Sequence, residues 1–102
     1  MEVKLDNSFD KTGNIFIEAY SDYGNYRSPG WIEYCEAKYI CFYNTKTAKG
    51  MIIDLPLIKS LLDRYAVKKY FYDFQDDKER CCFLFPIGTA RRKNAIIYEW
   101  ED

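Results

Sequence analysis

Glu2, Lys4 and Asp6 alternate along the first extended stretch of the chain, the spacing that aims three strand side chains at one side. Two carboxylates beside an ammonium are the inventory of magnesium-assisted phosphodiester cleavage. A small hard cation takes oxygen ligands, keeps several waters and acidifies one of them, while the lysine offsets charge developing on the phosphate. A second strand, Asn14–Ser21, adds Glu18 if the two form a hairpin: with Glu18 opposite Glu2, Phe16 stands opposite Lys4 and Asn14 opposite Asp6. A one-residue slip would turn Glu18 to the other side. Chance alone supplies a Glu-x-Lys triplet about once in a chain this rich in charge, and a solvated strand face gives the same pattern with no chemistry.

Length and composition constrain the elements that must position these residues. A chain of 102 residues makes one domain around one core. Hydrophobic residues are 48% and aromatics 19% of it, so aromatic burial carries much of the stability. Sixteen acids against fifteen bases leave a formal charge of −1, which draws neither nucleic acid nor an anionic membrane from a distance; any nucleic-acid contact must be local. No apolar run is long enough to span a bilayer, and Met1 leads into charged residues, so a cytoplasmic protein with no membrane partner is expected. Histidine is absent, which removes Ser-His and Cys-His nucleophile pairs and leaves carboxylate, lysine and tyrosine for catalysis. Cys35, Cys41, Cys81 and Cys82 form no C-x-x-C pair and read as buried thiols instead of zinc ligands.

Hydrophobic periodicity outlines the rest. Val3 and Leu5 give the first strand an apolar side opposite Glu2, Lys4 and Asp6, and Asn7–Gly13 reads as a turn. Ser21–Gly30, rich in Ser, Gly, Asn and Tyr, reads as an exposed loop, and Trp31–Ala37 as a short helical turn. Tyr39–Asn44 and Met51–Leu55 are strands around a Thr45–Gly50 turn. Asp54 is a helix cap, Pro56 suits a first turn, and Ile58, Leu61, Leu62 and Tyr65 recur at helical spacing. Lys68–Phe74 alternates loosely, Arg80–Ile87 and Ala95–Trp100 are strands, and Thr89–Asn94 is a turn or short helix. The expected architecture is α/β (α+β): a mixed central sheet of about six strands with one main helix at Pro56–Tyr65.

Glu2-Val3-Lys4-Leu5-Asp6, then Thr12-Gly13-Asn14-Ile15-Phe16-Ile17-Glu18, then Gly30-Trp31-Ile32 and Cys35-Glu36-Ala37-Lys38-Tyr39 together resemble phage- and bacteria-associated members of the PD-(D/E)XK nuclease superfamily. The resemblance continues more weakly through Ile52–Leu55 and Phe83–Ile87. It implies a restriction-endonuclease-like sheet, a Mg²⁺ cofactor, Glu2 as metal-binding acid, Lys4 as catalytic lysine and Glu18 as a further polar member of the site. Cys35 stands where the family has Ser or Thr, and Lys38 where it has Asp. The family also brings a helix and a strand bearing a metal-binding Asp ahead of its E-x-K strand. With this chain starting at Met1, Asp6, Asp10 or Glu18 must substitute, a second subunit must complete the site, or the site is a relic.

Two surface segments suggest binding. Tyr23 and Tyr26, with Trp31, lie in a Tyr/Ser/Gly/Asn-rich stretch of the kind that makes partner contacts. Arg91-Arg92-Lys93 is a compact basic run suited to a phosphate backbone, although three bases also make an ordinary solvated turn. Asp73–Glu79 reads as a strand-joining turn. Two functions from different classes follow. One is a nuclease-like protein, active or degenerate, that handles DNA through Glu2 and Lys4. The other is a non-enzymatic binding protein, for instance a phage inhibitor of a host defence complex, with a protein partner or a homodimer completing an exposed sheet.

Overall fold

The computed structural model describes residues 1–102. Strand β1 (Glu2–Leu5) leads through helix α1 (Phe9–Thr12) to β2 (Asn14–Asp22), β3 (Arg27–Pro29) and α2 (Trp31–Tyr34). Then come β4 (Tyr39–Asn44), β5 (Lys49–Asp54), α3 (Leu55–Tyr65), β6 (Val67–Asp73), β7 (Lys78–Pro86), α4 (Ile87–Arg92) and β8 (Ile96–Glu101). The class is α+β as expected, with the strands divided between two four-stranded sheets, β1-β4-β5-β8 and β3-β2-β7-β6.

That division separates β1 from β2, where a hairpin was expected. Asn7–Gly13 holds a helical turn in place of a tight reversal: the Asp6 Oδ1 accepts hydrogen bonds from the Ser8 N–H and hydroxyl at 2.9 Å each, and α1 follows with Phe9 buried. Strand β1 instead pairs in parallel with β4, Glu2 beside Ile40 and Lys4 beside Phe42, and the Asp6 N–H extends the ladder to the Tyr43 carbonyl. Strand β2 runs antiparallel to β7 along most of its length, with a bulge at Ala19. The segment expected as a loop at Ser21–Gly30 is the tip of the β2–β3 hairpin.

Both sheets feed one core. Ile15, Ile17 and Phe85 meet Ile40, Phe42, Met51 and Ile53, all nearly inaccessible to solvent, and Ile58 of α3 closes the cluster. Helix α3 matches its sequence signals: the Asp54 carboxylate accepts the Leu57 N–H at 3.1 Å, Pro56 sits in the first turn, and Leu55 and Ile58 are buried. The four cysteines are free thiols, three buried and Cys41 half-buried. Gly30, entering α2, donates its N–H to the Ala19 carbonyl at 2.8 Å, and a Cβ there would lie 2.1 Å from the Glu18 carbonyl oxygen. Backbone against backbone leaves no side chain to move aside. Gly30→Ala is therefore expected to cost about 3 kcal/mol in urea unfolding, and an unchanged midpoint would refute the close approach.

Candidate functional site

The β1 register sets which side of the strand faces the protein. Glu2 and Lys4 share the face of buried Ile40 and Phe42, so the charged side turns inward, while Val3 and Leu5 are 60% and 72% exposed. The apolar side of the strand is thus the open one, the reverse of a solvated Glu2/Lys4 face. The inversion is tolerable because the charges are partnered. The Lys4 ammonium lies 3.0 Å from Glu2 Oε1 and 5.1 Å from the centre of the Trp31 ring, and the Cys35 thiol donates to Glu2 Oε2 at 3.0 Å. The Cys35 hydrogen bond, followed by Lys4, holds the Glu2 carboxyl below its ordinary value of 4.5. Burial, followed by the Glu2 contact, pushes the Cys35 thiol above its ordinary 9.0, which keeps its proton in place to be donated.

The other acids are dispersed. Asp6 caps the turn into α1. Glu18 lies in the second sheet, paired with Arg80 at 3.1 Å, and Arg80 also holds Asp73 at 3.0 Å. Asp10 accepts from Asn44 Nδ2 and from Thr47 Oγ1 at 3.0 Å, tying α1 to the β4–β5 hairpin. No group of three or more Asp, Glu, Cys or His stands close enough to share an ion. Glu2, Asp6 and Glu18 are not brought together: both Glu2 oxygens are engaged, and Glu18 is not on a strand neighbouring β1. Lys4 does border an open pocket of about 450 Å³ with Leu5, Asp6, Phe16, Trp31 and Phe42.

The sequence-derived binding residues also separate. Tyr23 and Tyr26 stack at 4.8 Å at the β2–β3 tip, where Lys78 Nζ reaches the Tyr23 hydroxyl at 3.2 Å. Trp31 is not part of that pair; it packs half-buried on Phe42 beneath Lys4. In the basic run, Arg91 forms a bidentate pair with Glu99 at 2.9 and 2.7 Å, Arg92 bonds the Thr89 hydroxyl, and Lys93 lies over Tyr65. A phosphate would have to displace Glu99 from Arg91.

One coherent surface was missed by sequence reasoning. On the outer face of the first sheet the strand registers align two rows: Val3, Cys41, Ile52 and Tyr98; then Leu5, Tyr43, Gly50 and Trp100. No charged side chain interrupts them. Gly50 makes the second row continuous, since a Cβ there would fall 2.2 Å from the indole; Trp100 lies flat over it, stacked between Tyr43 at 6.3 Å and Tyr98 at 5.9 Å. With strands about 4.8 Å apart, the face is about 15 Å across before side chains are added. Its signal in the sequence is that Tyr39–Tyr43 and Ile96–Tyr98 are apolar at every position, the pattern of strands covered on both sides.

Neither a protein-family model, nor a curated protein, nor a solved structure matches the chain.

The Glu2 contacts carry a sign. A carboxyl depressed in the folded state stabilises above about pH 4.5, and that contribution is lost as the pH falls through the lower folded-state value. Acid unfolding followed by tryptophan fluorescence is expected to be shallower in Glu2→Gln than in the wild type below pH 4.5. Superimposable curves would show that the ion pair and thiol contact contribute nothing.

Proposed function

We propose that this chain is a non-enzymatic binding protein that recognises a protein partner through the outer face of the β1-β4-β5-β8 sheet. The observation carrying this reading is the uninterrupted two-row apolar grid, in which Val3, Leu5 and Tyr98 are each at least 60% exposed. Soluble chains seldom leave so continuous an apolar surface open unless something docks on it. Tyrosine and tryptophan on a stiff sheet lose little conformational freedom on binding, which makes them efficient anchors.

Charge selects the class of partner. Asp54, Glu101 and Asp102 border the face, against Lys49, in register with Glu101 and paired with Asp10, and Lys38, whose ammonium lies over Tyr39. Aromatic platforms that stack nucleic-acid bases work beside a basic groove, and here the border is acidic. The complementary occupant is an apolar protein surface rimmed by lysine and arginine. A magnesium-dependent nuclease reading rests on Glu2 and Lys4, and their engagement by each other, Cys35 and Trp31 favours a structural role for the pair.

Leu5→Glu/Tyr98→Glu replaces two exposed anchors without entering the core. Protein capture by the immobilised chain is expected to fall about 30-fold or more in that variant, by the usual cost of losing hot-spot residues, and to persist in Tyr23→Ala/Tyr26→Ala. Loss in the tyrosine-tip variant with retention in the grid variant would move the site to the hairpin. Plasmid incubated with Mg²⁺ or Mn²⁺ is expected to be cut no faster by the wild type than by Lys4→Ala; Lys4-dependent cleavage would overturn the non-enzymatic reading.

A further inference from the structure

The second sheet ends in an unusual edge. Strand β6 pairs with β7 on one side only, and six of its seven residues are exposed, among them Val67, Tyr70, Phe71 and Tyr72. Phe74, just beyond it, is 88% exposed. An edge this long and aromatic offers a row of unpaired backbone N–H and C=O groups to another strand.

We propose that β6 pairs antiparallel with β6 of a second copy of this chain, about a two-fold axis at Phe71, joining two sheets into one of eight strands. This surface is distinct from the apolar grid of the first sheet, and the inference does not depend on that reading.

The charges choose the occupant and the register. An antiparallel two-fold perpendicular to the sheet keeps each face on its own side, so only residues on the same face can stand opposite each other. Lys69, Phe71 and Asp73 share one face, and Lys68, Tyr70 and Tyr72 the other. Centred on Phe71, Lys69 of each copy stands opposite Asp73 of the other, the Phe71 rings meet on the axis, and Tyr70 stands opposite Tyr72. Both ends of the ladder then carry a +/− pair. Lys69 has no carboxylate partner within its own chain. Asp73 Oδ2 accepts from Arg80 at 3.0 Å and its Oδ1 from the Gln75 and Asp76 N–H groups, so Lys69 of the other copy would join Arg80 as a second cation beside a carboxylate already held in place. Centring on Tyr70 sets Lys69 against Phe71 and Asp73 against Val67. Centring on Lys69 sets that lysine against its own copy. Centring on Tyr72 sets Lys69 against Gln75 and Phe71 against Asp73. The Lys69–Asp73 pairs thus form in the Phe71 register and in none of these others, as in a self-recognising edge.

On the Phe71 face, Phe16 already packs against Phe71 at 6.4 Å, so pairing would draw a row of four phenylalanine rings across the axis. On the opposite face, Tyr72 and Phe74 meet edge-on at 4.9 Å beside the site where Tyr70 of the other copy arrives.

The test is light scattering of the purified full chain over a micromolar concentration series, with folding checked by circular dichroism. The wild type is expected to be dimeric. Lys69→Asp, which sets acid against acid at both ends, is expected to raise the dimer dissociation constant about tenfold or more, and Lys69→Asp/Asp73→Lys to restore it. Under mild oxidation, Phe71→Cys is expected to cross-link to a covalent dimer and Tyr70→Cys is not, since only residue 71 faces its own copy. A wild type that stays monomeric overturns the proposal. So does a dimer unaffected by Lys69→Asp, or one cross-linked by Tyr70→Cys in place of Phe71→Cys.

Discussion

How far the first sheet's apolar surface extends depends on the direction in which β1 turns its charges. The Glu2–Lys4 pair, closed by the Cys35 thiol on one side and the Trp31 ring on the other, occupies the inner side of an edge strand. Strand geometry then leaves Val3 and Leu5 no choice but the outer side. There they extend an apolar surface already made by Cys41, Tyr43, Ile52, Tyr98 and Trp100. Partnered charges at a half-exposed edge keep most of their hydration and cost little. Two residues of the triplet that stands out in the sequence, Glu2 and Lys4, are thus engaged with each other, Cys35 and Trp31 on the inner side of the strand, while Asp6 holds the turn into α1.

The two sheets divide the work of the molecule. Their inner faces share a single aliphatic and aromatic core, pinned by α3 and by the Asp10 contacts to the β4–β5 hairpin. Their outer surfaces differ in kind. One is a broad, uncharged platform flattened by the indole over Gly50; the other presents a long edge with three aromatic rings between Lys68-Lys69 and Asp73. Aromatic residues make up 19% of the chain, more than so small a core can absorb, and much of the excess lies on these two surfaces, with Tyr26 and Tyr34 outside them.

Local signals in the sequence were reliable where the chain decides its own conformation. The Asp54 cap, Pro56 and the Ile58–Tyr65 spacing placed α3 within a residue, and Tyr39–Asn44 was a strand as its composition demanded. The mixed α+β class followed from those elements. Strand partnership was not legible, because it depends on contacts distant in sequence: one helical turn at Phe9–Thr12 was enough to send β2 to β7 instead of β1, and Glu18 went with it to Arg80. The facing of β1 was hidden for a related reason. Alternation fixes that Val3 and Leu5 oppose Glu2 and Lys4, but the inward side is set by Trp31 and Cys35, about thirty residues away. Apolar residues on both sides of β4 and β8 were visible all along, and only the absence of a covering layer distinguishes a platform from a core.

The orientation of β1 can be measured directly by thiol labelling of Val3→Cys, Leu5→Cys and Lys4→Cys in a Cys41→Ser background under native conditions. Positions 3 and 5 are expected to react nearly as fast as in the unfolded chain, and position 4, on the inner side against Trp31, more slowly. Protection of positions 3 and 5 until the chain unfolds, with rapid labelling at position 4, would contradict the inward-facing ion pair and the platform built upon it.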